Sequence, residues 1–291
     1  MNYKGLIGKF IVFAAIISVS TVCGGCGDGT YVAEKMYYSA SYQLRQLEQR
    51  EEKKESIPDE EINNLVFKFK EIILRYPYWD HIPGAYINLA NLYLLKEDYE
   101  SARKQYAAIC AKFPNKAGFC AAVLTKTART YELQGQWAEA EKAYKEILDK
   151  YPYTQDGLVV PVYLARQYRA KGDKEQERIF LEKGLSLYNE VIEKFPRSLE
   201  ATGAVDLSCD CKLALEGAGG TIEYLKSLII KYPDTLIAGR ASFDAARIFQ
   251  YKLKDEKEAA NYYNKVVKQF PGTNLARKAE EELKKLLTPA I

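Results

Sequence analysis

Six aromatic–proline pairs punctuate the chain: Tyr76-Pro77, Phe113-Pro114, Tyr151-Pro152, Phe195-Pro196, Tyr232-Pro233 and Phe270-Pro271. Successive prolines stand 37, 38, 44, 37 and 38 residues apart. A fixed period of this size is the signature of a stacked-repeat architecture, in which each unit hides its apolar face only against its neighbours. Eight residues before each proline stands a ring, Phe69, Tyr106, Tyr144, Tyr188 or Tyr263, with Leu225 as the exception. Five residues before it stands an aliphatic: Ile72, Ile109, Ile147, Val191, Leu228 or Val266. These offsets share one helical face, so each proline closes a helix that it cannot itself continue. The sequence therefore predicts an all-α solenoid.

A second string marks the helix that precedes each closing helix. It reads Leu89-Ala90-Asn91-Leu92-Tyr93, then Thr127-Ala128-Arg129-Thr130-Tyr131, Leu164-Ala165-Arg166-Gln167-Tyr168 and Ala245-Ala246-Arg247-Ile248-Phe249. Short polar turns separate the two helices of a pair: Lys96-Glu97-Asp98, Gln134-Gly135-Gln136, Lys171-Gly172-Asp173 and Lys254-Asp255-Glu256. Glycine or a polar residue stops the first helix there, and an aspartate caps the second. Twelve residues before the proline, Ala102, Ala140 and Ala259 leave room for a neighbouring helix. The sets Ala102/Tyr106/Pro114, Ala140/Tyr144/Pro152 and Ala259/Tyr263/Pro271 resemble the second helix of the tetratricopeptide repeat (TPR). The usual first-helix tryptophan is missing and the period is longer than is usual for the family. Longer periods with aromatic–proline closures, behind a lipoprotein-like leader, resemble the BamD-type lipoproteins of β-barrel assembly. The resemblance implies a right-handed solenoid of helix-turn-helix repeats over residues 31–287.

Departures from the period carry their own expectations. Residues 31–56 predict a long first helix with a charged, solvated end, and Ile57-Pro58-Asp59 starts the next. The fourth repeat holds about six extra residues around Lys174 to Ser186, which lengthen its second helix. The fifth has Cys209-Asp210-Cys211 in its first helix and a turn at Glu216-Gly217-Ala218-Gly219-Gly220, expected as a flexible joint between two halves. That glycine cluster lacks the following Lys-Ser/Thr of a phosphate loop. Residues 274–287, rich in Lys and Glu with Leu283, Leu286 and Leu287, predict the polar capping helix that a solenoid needs.

The N-terminus reads as an address. Met1 to Lys9 holds two lysines and no acid, and Phe10 to Val22 is almost wholly apolar. A cationic start and an apolar run of this length form a signal peptide, expected over residues 1–25, with a retained anchor as the alternative. The run ends in Cys23-Gly24-Gly25-Cys26. Small residues before a cysteine resemble a bacterial lipoprotein signal, which marks Cys26 for diacylation, with Cys23 or a plain secretory cleavage as the alternatives. Residues 26–30 are expected to form a flexible tether. Gly27 at the second mature position implies outer-membrane sorting in such lipoproteins. The expected location is the cell envelope, at the outer membrane and facing the periplasm.

Composition narrows the chemistry. Basic and acidic residues number 42 and 39, and the net charge of +3 gives no nucleic-acid footprint. The single histidine, His81, falls in a turn, and no nucleophile–base constellation stands out. The reading is a protein without catalytic residues, cofactor, metal, small-molecule substrate or nucleic-acid partner, which binds other envelope proteins or peptides. Cys209 and Cys211 point in different directions on a helix, which argues against a metal pair. Cys110 and Cys120 flank the Phe113-Pro114 turn; a disulfide between them and two buried thiols are both open. In the tetratricopeptide family the residue after the small first-helix residue points into the groove. The resemblance therefore places Asn91, Arg129, Arg166 and Arg247 there, flanked by Lys126 and Arg169, where guanidinium forks suit carboxylates. Three roles remain open for such a chain: an adaptor in envelope assembly, a scaffold subunit of a secretion-type machine, and a repeat-bearing cell-wall enzyme.

Overall fold

The computed structural model of the chain describes residues 26–287. Twelve α-helices run through them: α1 (Cys26–Glu52), α2 (Asp59–Arg75), α3 (Ile82–Leu95), α4 (Tyr99–Lys112), α5 (Ala117–Leu133), α6 (Trp137–Lys150), α7 (Gln155–Ala170), α8 (Lys174–Lys194), α9 (Leu199–Lys231), α10 (Leu236–Ile248), α11 (Glu256–Gln269) and α12 (Asn274–Leu287). Each packs on the next, and alternate helices touch at α1–α3, α5–α7, α7–α9 and α10–α12. The architecture is an all-α stack of consecutive helical pairs. No strand occurs among the described residues.

The aromatic–proline pairs end the second helix of every unit in the same way. Tyr76, Phe113, Tyr151, Phe195, Tyr232 and Phe270 are all C-cap residues, with φ between −125° and −135° and ψ between 41° and 54°. A residue before proline is kept out of the α region by the proline ring, so the helix has to stop there. Each cap donates its N–H to the carbonyl four residues earlier, at Ile72, Ile109, Ile147, Val191, Leu228 and Val266. Those aliphatics and the residues eight before proline are all buried. The first-to-second turns are capped by Asp98, Asp173 and Asp255, whose carboxylates accept the N–H groups of Ser101, Gln176 and Glu258 at 3.0 Å.

The small position twelve before proline extends to the fourth repeat, where it is Gly184. A Cβ there would lie 2.9 Å from the Pro161 side chain, so only glycine lets α8 approach α7 this closely. Nearby, the Tyr188 hydroxyl donates to the Leu158 carbonyl at 2.7 Å, beside the proline inside α7. α8 has 21 residues against 14 for α4, α6 and α11, which accounts for the longer fourth period.

Two expectations need correction. Residues 26–30 form the first turn of α1 rather than a tether. The glycine cluster bends the chain without dividing the molecule: α9 breaks only at Gly217, at φ 73° and ψ −171°. One buried cluster runs unbroken past it, from Ala121 to Ala279. A second cluster spans Ala40 to Val123, so the two cores meet inside α5 rather than at the glycines. The last first-to-second turn also differs from its fellows. α10 runs into a π-helical turn, Phe249–Leu253, which absorbs one extra residue before Lys254 turns left-handed at φ 59°. The capping helix falls at α12, with Ala276 and Ala279 buried.

The ring position supplies a test of these contacts. Tyr106 buries its hydroxyl with no hydrogen-bond partner among the described residues, whereas Tyr188 has one. Tyr188→Phe should cost about 1 kcal/mol, and Tyr106→Phe should be neutral or stabilising by a similar amount. Urea unfolding midpoints of the two variants check the difference in sign.

Candidate functional site

The four residues placed in the groove by the sequence lie on the first helices of their pairs, but the structure treats them differently. Asn91 is half-buried and donates from Nδ2 to Glu48 of α1 at 3.1 Å, so α1 already occupies it. Arg166 pairs with Asp210 of α9 at 3.5 Å, and Arg169 with Glu177 of α8 at 2.6 Å. Arg247 stands 3.7 Å from Asp244 one turn earlier in α10. Arg129 is exposed and takes part in no ion pair among the described residues, and Lys126 lies half-buried one turn before it.

Asp210 is the residue that the sequence reading missed. It stands 44 residues after Arg166 and 37 before Arg247, so the repeat spacing, carried through the insertion in α8, lands on it. Its neighbour Cys209 is buried where the other repeats place alanine. The column therefore reads Asn, Arg, Arg, Asp, Arg, and its middle is neutralised from within.

Neutralisation deepens towards α10. Arg240 reaches both Asp206 of α9 and Asp244, with Asp244 only 4% exposed. Burial pushes the Asp206 carboxyl up to about 7, and the nearby Asp244 charge adds to that, while Arg240 opposes it. Two carboxylates sharing one guanidinium titrate as a unit rather than as separate groups.

Two hollows open between the stacked first helices. One, of 290 Å³, lies between Arg166 and Asp210, with Val162 and Leu181 in its wall. The other, of 310 Å³, is lined by Arg129, Tyr144, Gln155, Asp156 and Tyr163. In the second, Thr125 donates to Asp156 at 2.7 Å, and the Tyr163 hydroxyl donates to Glu132 at 2.5 Å. The Tyr144 and Tyr163 rings lie 4.9 Å apart, and both hydroxyls are held above their usual range, chiefly by burial. The arrangement is a polar recess with a free guanidinium on one side and a held carboxylate on the other.

The cysteines are thiols. Cys110, Cys120, Cys209 and Cys211 are unbridged in this structure, Cys110 half-buried and the other three buried. Burial pushes the Cys110 thiol up to about 12, with a contribution from the adjacent Cys120. Cys209 and Cys211 are raised to about 12 by burial as well. Among the described residues no cluster of His, Cys, Asp and Glu is placed to hold a metal ion. No described helix is long and apolar enough to cross a membrane. The leader with Cys23 lies outside the described residues; Cys26 begins α1.

The tetratricopeptide repeat family model matches residues 87–153, and a second model of that family matches residues 240–273. These two stretches are tetratricopeptide repeats. The two matched stretches hold Arg129 and Arg247 on their first helices, and neither model describes a catalytic domain. No curated protein matches the sequence. Among solved structures, a thermophilic TPR protein of Thermus thermophilus is 19% identical, with 70% of this chain and 98% of that one covered at a TM-score of 0.39. The pilF protein of Pseudomonas aeruginosa is 14% identical, with 85% of this chain and 99% of that one covered at a TM-score of 0.36.

The shared guanidinium predicts a pH dependence. Asp206 is raised in the folded chain above its ordinary value of 3.8. Between that value and about 7 the folded state therefore binds more protons than the unfolded one, and stability falls as pH rises through this window. Thermal unfolding should show a lower midpoint at the upper end of the window than at the lower end. Asp206→Asn should flatten the profile; an unaltered slope in the variant would contradict the assignment.

Proposed function

We propose that this tetratricopeptide-repeat protein is a non-catalytic adaptor of the bacterial cell envelope, anchored by a lipid on Cys26, which captures a partner protein at the recess around Arg129. TPR proteins bind proteins and peptides through such stacked helices, and the coarse role follows from the family. The envelope setting rests on the leader, with its cationic start, apolar run and Gly24-Gly25-Cys26 ending. Attachment by two acyl chains suffices for stable anchoring, which a single chain does not give.

The observation that carries the site is the contrast between cations. Arg166, Arg169 and Arg247 are each satisfied by an acid of this chain, while Arg129 is not. A partner segment would present a carboxylate to Arg129 and Lys126 and a donor group to Asp156. Its chain would run along the first helices and cross the half-open space at Arg166. The BamD-like role in assembling outer-membrane β-barrel proteins is the form of this function that the leader and the long period favour.

Two experiments test it. In a pull-down from solubilised membranes, Arg129→Glu should weaken partner capture at least about tenfold, roughly 1.4 kcal/mol, whereas Arg166→Glu should change it only about threefold. Co-purified β-barrel proteins would mark the assembly role, and components of a secretion machine would reassign it. Equal capture by wild type and Arg129→Glu would remove the recess from the account. Cys26→Ser should release the chain into the soluble fraction; release only by Cys23→Ser would move the lipid to that cysteine.

A further inference from the structure

α1 presents three faces with three different fates. Ala33, Ala40, Leu44 and Leu47 point into the core. Ser41 and Glu48 meet Asn88 and Asn91 of α3, and Gln43 and Arg50 meet Lys68 and Glu61 of α2. The face opposite the core packs against no other helix among the described residues. On it Tyr31, Tyr38 and Tyr42 are 66%, 53% and 63% exposed, at a spacing that aligns them in one row along the helix. Lys35 and Arg45 fall in the same row, and both are exposed.

A second element extends this row. The turn between α2 and α3 carries Tyr78, 97% exposed, with Trp79 and His81 beside it. Trp79 packs edge-on against Tyr37 at 5.3 Å, and His81 lies 6.5 Å from Tyr38. Helix and turn thus present one continuous aromatic surface at the first end of the stack. It also lies at the edge where α1 begins, so Cys26 is only about 7.5 Å of helix rise before Tyr31.

From this surface we infer that α1 and the α2–α3 turn rest on the headgroup layer of a phospholipid bilayer, fixing how the adaptor is oriented once anchored; this rests on the lipid-anchor reading above. The residue chemistry selects that occupant. The buried seams of this chain use Ala, Leu and Ile with a buried ring, whereas the open face offers rings with polar tips and two cations, with the exposed acids Glu34 and Asp80 at its edges. Tyrosine, tryptophan and lysine are the side chains that settle between hydrocarbon and water. Cys26 is the first residue of α1, so a diacylated Cys26 would bring the bilayer to the start of this row. The result would hold the stack against the membrane by its first helix and leave the Arg129 recess, two pairs further on, in solution.

The two tryptophans make the test. Trp79 lies in a second-to-first turn and Trp137 at the first-to-second turn of α6, on opposite edges of the stack. The full chain, purified from membranes and reconstituted into phosphatidylethanolamine–phosphatidylglycerol vesicles with brominated acyl chains, is compared in two single-tryptophan forms. With Trp137→Phe, emission from Trp79 should fall by about half on bromination; with Trp79→Phe, emission from Trp137 should fall by less than about a tenth. Adding Tyr31→Ser, Tyr38→Ser and Tyr42→Ser should bring Trp79 to the Trp137 level with helix content unchanged by circular dichroism. Equal quenching of the two tryptophans in vesicles that still carry the chain would overturn the proposal and leave the anchor standing. An N-terminal peptide without acyl mass would overturn the anchor, and the proposal with it. Tyrosine-dependent dimerisation in detergent with Trp79 unquenched would assign the face to a second copy of the chain and also overturn it.

Discussion

Every second helix stops at the same backbone conformation, imposed by the proline that follows. With the cap residue excluded from the α region, its N–H closes the last helical bond and the chain turns at once. The stop fixes the register of everything upstream: the aliphatic five residues before the proline and the residue eight before it are buried in every unit, and the residue at twelve is Ala or Gly in four of the six. The six caps span only about ten degrees in φ, which lets pairs of unequal length stack without a break. Where the sequence departs from the period, the departure is absorbed elsewhere. α8 grows longer, Gly217 bends α9, and a π-helical turn takes up the extra residue after α10.

The same register builds the binding face. Because first helices repeat at the same spacing, the residue after each small side chain forms a column, and its chemistry is decided by what the neighbouring helix supplies. From α7 onwards the chain itself supplies acids to these cations: Asp210 of the next repeat to Arg166, Glu177 of the paired helix to Arg169, and Asp244 of the same helix to Arg247. Exposed pairs of this kind contribute little to stability, but they remove the charge from recognition. At α5 the neighbour supplies tyrosines and a carboxylate already held by Thr125, and Arg129 is left open. The site is a gap in an otherwise self-satisfied ladder.

The helical pairing, the caps and the terminal helix were legible because proline, aromatic and aspartate each act through local backbone geometry. Asp98, Asp173 and Asp255 cap as their turn positions dictate. The charge state of the column was less legible. Asp210 is visible in the period only when the α8 insertion is followed through, and its pairing with Arg166 depends on how α7 meets α9. The glycine cluster misled for a related reason. Gly217 needs a left-handed φ, yet burial on both sides, from Cys211 to Ile222, keeps the turn inside one core. The aromatic row of α1 has a helical period, but only the exposure of Tyr31, Tyr38 and Tyr42 among the described residues shows which way it faces.

The central claim is that each pair is stable only against its neighbours through the ring set by the proline stop. Residue-resolved hydrogen exchange of Tyr144→Ala tests it most directly, because that ring belongs to the middle of the stack and is 3% exposed. The account predicts that the cavity lowers protection together in α5, α6 and α7, as a cooperative unit that crosses pair boundaries. Protection lost in α6 alone, with α5 and α7 exchanging as in the wild type, would contradict it.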